Sequence, residues 1–248
     1  MISREDLARY LHELLRVDAF DDYAPNGLQV QGRARIRRVV SGVTASLELV
    51  RRAAELDASA LLVHHGWFWR GEDLRVTGQR HLRLKALLQA DINLYAYHLP
   101  LDAHAELGNN ARLAAQLGWQ AESHFGRQQL GVLGRAPQAT RGELSARLEQ
   151  VLGRRPLLIG DADSAVGRLA WCTGAAQGWI EQARDAGADT YVSGEISEPT
   201  AHFAREMGIA YLACGHHATE RYGVQALGEH LAARFGLEHH FIDLDNPA

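Results

Sequence analysis

The sequence predicts an α/β fold of two lobes, each with a mostly parallel sheet flanked by helices. Two observations lead there. Short, wholly apolar runs such as Ala60-Leu61-Leu62-Val63 alternate with segments of helical periodicity, the pattern of buried parallel strands covered by helices. The chain has 248 residues, enough for one large domain or two small ones. The alternation loses its periodicity between Glu122 and Gln138. A boundary there gives a first lobe over 1–125, rejoined by 216–248, and a second over 126–215.

Ser3-Arg4-Glu5-Asp6 reads as a helix start, with Ser3 as cap and acids in the first turn. Leu7, Tyr10, Leu11, Leu14 and Leu15 then form one apolar face. Pro25-Asn26-Gly27 marks a turn, followed by the alternation of Leu28 and Val30 in a short strand. Val39 to Val43 is a strand and Ser46 caps a helix from Leu47 to Leu56. The strand Ala60–Val63 ends in His64-His65-Gly66, and a helix is expected near His81 to Ala90. The strand Ile92–Tyr97 ends in His98-Leu99-Pro100-Leu101-Asp102, and a helix from about Asn110 to Leu117 closes at Gly118.

In the second half, Gly131–Gly134, Leu157–Ile159, Leu169–Cys172 and Thr190–Ser193 are strand candidates. Helices are expected from Thr140 to Leu152 and near Trp179 to Ala186. Ile209–Cys214 is the last strong strand and ends in Gly215-His216-His217. The helix after it carries Val224, Leu227, Leu231 and Phe235, spaced 3, 4 and 4, before an edge strand over His240–Asp243.

Composition narrows the function. The formal net charge is −4, with 46% hydrophobic and 23% charged residues, so no overall field draws the chain to nucleic acid or anionic lipid. Two cysteines, Cys172 and Cys214, are too few for a disulfide scaffold. The opening residues do not read as a signal peptide, and no apolar run approaches the roughly 20 residues of a membrane span. A cytoplasmic protein is expected.

The 13 histidines are the outstanding count. His64-His65, His98 to Asp102 and His216 to Glu220 each follow a predicted strand at its carboxyl end, the edge where open α/β sheets bind ligands. Together they supply imidazoles and carboxylates, ligands suited to Zn, Fe or Mn. Adjacent strand residues point to opposite sides, so His64 and His65 suit two neighbouring ions better than one. His216 and Glu220 are four apart and share one helix face. His64, His65, Asp102, His216 and Glu220 have the composition of a dinuclear site, whose ions, roughly 3.5–4 Å apart, clamp an oxygen between them.

Each piece also has a plain structural explanation. The histidine pair can be loop residues, Asp102 can cap a turn, and Glu220 can serve the helix dipole. His98 is either a proton shuttle beside the ligands or a hydrogen-bonded structural histidine. His217, His104 and Glu195 are weaker candidates, and Cys214 reads as a buried thiol. Trp67-Phe68-Trp69 can stack a planar heterocycle or pack a lid or subunit contact. Arg33, Arg35, Arg37 and Arg38 form a basic run that reads as a solvated face, with phosphate contact the alternative. No glycine-rich phosphate loop is present.

Four ordered segments, Tyr23-Ala24-Pro25-Asn26-Gly27-Leu28-Gln29-Val30, Val63-His64-His65-Gly66, Tyr97-His98-Leu99-Pro100-Leu101-Asp102 and Gly215-His216-His217-Ala218-Thr219-Glu220, resemble the Ngg-interacting-factor-like family. Its members carry the name GTP cyclohydrolase I type 2 homologues, and the chain resembles the short bacterial YbgI type, without the large middle insertion of longer members. The resemblance implies two α/β lobes with a dinuclear metal site between them, two divalent ions per subunit, and a toroidal homohexamer. The family's ligand pattern falls on His64, His65, Asp102, His216 and Glu220. Glu220 and His98 are then the residues for proton transfer. The expected function is a metal-dependent hydrolase acting on a nucleotide-like or other small metabolite. The alternative is a non-enzymatic, metal-dependent scaffold or regulatory ring. Membrane and nucleic-acid partners are not expected.

Overall fold

A computed structural model describes all 248 residues. The chain divides into two compact units, Met1–Gly108 with Gly223–Leu244, and Asn109–Tyr222 with Asp245–Ala248. The first division therefore falls before the helix Asn109–Leu117, not near residue 125. Leu113, Leu117 and Trp119 belong to the second unit's core, which draws that helix out of the first lobe.

The first unit starts with β1 (Ile2–Ser3) and α1 (Arg4–Leu14), where Ser3 accepts a bond from the Asp6 amide as N-cap. It continues through β2 (Gly27–Val30), β3 (Arg35–Ile36), β4 (Arg38–Thr44), α2 (Leu47–Glu55), β5 (Ala60–His65), α3 (Gly78–Gln89), β6 (Asn93–Ala96) and α4 (Leu99–Ala103). Its main sheet has the order β13-β4-β5-β6-β2, where β13 is Glu238–Phe241. β13, β4, β5 and β6 run parallel, and β2 pairs antiparallel with β6.

The period-2 pattern sorts this sheet into two buried faces. Val39, Leu62 and Tyr95 pack with Leu7 and Leu11 of α1 and with Val224, Leu227 and Leu231. Val40, Leu61, Val63 and Leu94 pack with Leu49, Val50 and Ala53 of α2 and Leu87 of α3. Helices on both faces explain why β5 is apolar throughout until its last two residues.

The second unit holds α5 (Asn109–Leu117), β7 (Gln120–Phe125), β8 (Gly131–Arg135), α6 (Arg141–Leu152), β9 (Leu157–Ile159), β10 (Leu169–Cys172), α7 (Ile180–Asp185), β11 (Thr190–Ser193), α8 (Glu198–Met207) and β12 (Ala210–Ala213). Its sheet order is β7-β8-β10-β11-β12-β9. Only the pairs β10–β11 and β11–β12 are parallel; the remaining pairs are antiparallel. The sheets are thus mixed, and the expectation of mostly parallel strands fails in this unit. The aperiodic stretch after Glu122 falls within a hairpin of β7 and β8, and the exposure of five of the six β7 residues hid it. Helix α9 (His216–Phe235) follows β12; Ala218 packs in the second unit's core, and Val224, Leu227 and Leu231 pack in the first unit's. No helix is long and apolar enough to cross a membrane.

Candidate metal centre

In the first unit, parallel β5 and β6 end side by side, with Val63 opposite Ala96. That register places His64 and His65 beside the turn that enters α4. His64 is fully buried, and its Nδ1 lies 2.9 Å from the Tyr97 carbonyl, so Nδ1 carries the proton and donates it. Its Nε2 lies 3.5 Å from Asp102 Oδ1. His65 Nδ1 is 3.1 Å from Thr44 Oγ1 on the neighbouring strand. The strand pleat does not separate the pair: the ring centroids are 4.6 Å apart. His98 joins them, with its ring centroid 5.1 Å from His64 and 5.8 Å from His65. A ring nitrogen from each of the three lies within 4.8 Å of the others, so the group can hold a metal ion.

His98 is held from a direction that no sequence pattern suggested. Asp22 Oδ1 is 2.9 Å from its Nδ1, and Asn26 Oδ1 accepts the His98 amide at 2.7 Å. Asp22 also accepts the amides of Ala24 and Leu99 and the side chain of Asn26. Burial opposes the Asp22 charge, but the bonds from His98, Asn26 and the Ala24 amide outweigh it and hold the carboxyl at about 2. The Pro25-Asn26-Gly27 turn therefore serves the site. Asp102 sits in the short helix α4 with its own amide bonded to the His98 carbonyl, and it is buried.

In the second unit, β12 ends at Ala213 and α9 begins at His216. Helical spacing brings His216 Nε2 to 3.0 Å from Glu220 Oε2. Glu195, beyond the end of β11, binds the other ring nitrogen: His216 Nδ1 is 2.8 Å from Glu195 Oε1. Burial works against a charged His216, yet Glu220 and Glu195 together overcome it and raise the imidazole to about 9. Glu220 is 3% exposed, an expensive place for a carboxylate without a positive partner.

Two glycines make room for this pair. Gly174 follows β10 with φ of +70°, and a Cβ there would collide with Glu220 Oε1. A Cβ on Gly194 would lie 2.8 Å from the His216 Cα. Thr219 secures the turn: its hydroxyl donates to the Gly215 carbonyl at 2.9 Å and accepts the Gly174 amide at 3.1 Å. A glycine just past the carboxyl end of each of two adjacent parallel strands was the signal available in the sequence.

The remaining candidates have structural roles. His104 Nδ1 accepts the amides of Glu106 and Leu107 and caps a turn. Cys214 is wholly buried, and burial pushes its thiol up. His217 is buried and lies outside the groups able to hold an ion. Trp67 is buried and donates its indole N–H to the Ala45 carbonyl, whereas Trp69 packs edge-on against His98. In the basic run, Arg33 pairs with Asp57, and Arg37 and Arg38 pair with Glu238.

Both half-sets present imidazole nitrogens and carboxylate oxygens at strand or helix ends, and no thiolate takes part. That chemistry fits Zn, Fe or Mn. His64, His98 and His216 each have Nδ1 engaged by a carbonyl or carboxylate, the outer bonding that fixes the tautomer of metal-binding histidines.

Residues 2–247 match the model of the family Duf34/NIF3 (NGG1p interacting factor 3). A Pseudomonas aeruginosa protein named GTP cyclohydrolase 1 type 2 homolog is 52% identical, covering 98% of this chain and 96% of its own length. A protein of the same name from Allochromatium vinosum is 51% identical over 100% of this chain and 98% of its own. Among solved structures, the protein ybgI, described as of unknown function, is 46% identical with a TM-score of 0.95, both chains being fully covered. The crystal structure of a Thermus thermophilus protein is 37% identical with a TM-score of 0.86, again with full coverage of both chains. Matched by the family model almost end to end and about half identical to relatives over 96% and 98% of their lengths, the chain belongs to the DUF34/NIF3 family.

Proposed function

We propose that the chain is a metal-dependent hydrolase of a nucleotide-like or other small metabolite, holding two divalent ions through His64, His65, Asp102, His216 and Glu220. The observation that carries this reading is the buttressing of the imidazoles. His64 is fixed by the Tyr97 carbonyl and His216 by Glu195, and both stand beside buried carboxylates. A fold does not bury such groups for stability, since apolar residues of similar size serve as well or better; perturbed and buried titratable groups collect at functional sites. The relatives' name supports a purine nucleotide as one substrate class.

When bound, divalent ions supply Lewis acidity and bring the pKa of water towards neutrality. The chain's own residues do the rest. Asp22 fixes the His98 ring so that Nδ1 is committed and Nε2 is left to take or give a proton. Glu195 holds His216 in one orientation, and Glu220 keeps a negative charge beside it. Trp69 packs edge-on against the His98 ring and limits its movement on that side. A toroidal hexamer is proposed on the family resemblance alone.

The test is a screen of the metal-loaded protein against nucleotides and other hydrolysable metabolites. The reading expects turnover that disappears on chelation and returns when metal is restored. Full metal occupancy with no turnover across the panel would favour the alternative, a non-enzymatic metal-dependent scaffold or regulatory ring.

A further inference from the structure

A cavity of about 360 Å³ opens in the first unit, lined by Gly66, Trp67 and Trp69, by Glu72, Asp73 and Arg75, and by the start of α3 through Arg83. Its volume is that of a small-molecule site. It begins where the histidine pair ends, because Gly66 directly follows His65 and the Trp69 ring centroid is 6.0 Å from that of His65.

The charges around the cavity do not cancel evenly. Asp73 is taken by Arg75, at 2.6 Å. Glu72 is taken by Arg80, also at 2.6 Å, and by the Trp69 amide. Arg83 is left with no carboxylate, and its Nε is enclosed without a hydrogen-bond partner. Burial works against the Arg83 charge, and Glu72 is the one group that offsets it. An enclosed guanidinium nitrogen without an acceptor is costly.

The local sequence breaks two further rules in the same place. The first turn of α3 has no acidic residue, and Thr77 at its N-cap makes no side-chain bond to the helix. Arg80 instead places positive charge in the first turn, at the positive end of the helix dipole, the unfavourable arrangement. Phe68, on the loop leading to the cavity, holds a left-handed backbone with φ of +65°, a conformation that a bulky side chain adopts only when its surroundings enforce it. Rules broken together at one spot mark a site rather than a defect.

We infer that this cavity is an oxyanion site, which takes the phosphate or carboxylate of a small molecule between Arg83 and the first turn of α3, with Trp69 between that group and His65. An acceptor there meets the one cavity arginine that no carboxylate pairs, the uncapped α3 amides and the dipole together. That the bound molecule is also the one hydrolysed rests on the hydrolase reading above.

Calorimetric titration of the purified full-length protein at about 0.15 M ionic strength tests this, where exposed charges are screened. Inorganic phosphate and acetate are the two probes. Saturable binding of one of them is expected, and the tighter of the two identifies the group. Arg83→Gln should weaken it about tenfold or more, the loss of one charged hydrogen bond. Arg83→Lys, which keeps the charge without the fork, should fall between. Arg9→Gln, whose arginine lies on α1 outside the cavity lining and is 67% exposed, should stay within about threefold of the parent. Circular dichroism shows that each variant is folded. Absence of saturable binding overturns the inference. So does binding that survives Arg83→Gln and disappears in a His64→Ala/His216→Ala variant, because that anion belongs to the metal ligands. The readout is binding and not turnover, so failure of the substrate screen leaves it standing, and its own failure leaves the hydrolase reading intact.

Discussion

Replacing Glu220 by Gln is expected to leave a folded protein that binds metal at least about ten- to a hundredfold more weakly and has lost most turnover. Gln keeps the size and one acceptor oxygen, so the 3.0 Å contact with His216 Nε2 can persist. What goes is a buried negative charge. Glu220 and Glu195 together hold His216 up at about 9; without Glu220 the imidazole loses a main support of its charged form. The fold does not depend on that charge, because α9 is anchored further along by Val224, Leu227 and Leu231. Circular dichroism, metal content and turnover on one preparation decide the point. Unchanged metal occupancy and activity would remove Glu220 from the site, and a variant unable to fold would favour a purely structural role.

Gly174→Ala should be nearly as damaging, although residue 174 offers no ligand. The added Cβ would collide with Glu220 Oε1, and the left-handed φ of +70° penalises any side chain. The backbone part costs about 1–2 kcal/mol, a fall in Tm of about 2–8 °C for a chain of this size. Gly153→Ala separates the two effects. Gly153 has a φ of +73° and nothing within 4 Å of its Cβ position. Both variants should lose the backbone part in thermal melts, Gly174→Ala losing at least as much because of the collision, but only Gly174→Ala should lose metal affinity. Equal metal binding by the two would show that Gly174 does not set the Glu220 position.

Much of this site could be read from the chain because its pieces are local. β5 is apolar up to His64 and His65, and the four-residue spacing of His216 and Glu220 needs only a helix to bring them together. The support from Asp22 could not be read, because it reaches His98 across 76 residues and lies in no periodic pattern. Glu195, which reaches His216 across 21 residues, was legible only as a weak candidate just past a strand end. The same limit applies to the fold. Helix α8 was not anticipated, since its buried residues are only Thr200 and Ala204, too few for an apolar stripe. In the β7–β8 hairpin, β8 was legible over Gly131–Gly134 but β7 was not, because a largely exposed edge strand carries no hydrophobic alternation. Strand direction was misjudged in the second unit because apolar runs report burial and not whether neighbours run parallel.

The central claim is that His64, His65, Asp102, His216 and Glu220 hold two divalent ions. Elemental analysis of protein purified without chelator, beside a His64→Ala/His216→Ala variant made in the same way, tests it most directly. Two ions per chain in the parent and fewer than one in the variant are the predicted result; fewer than one ion per chain in the parent after reconstitution, or equal metal in both proteins, would contradict it.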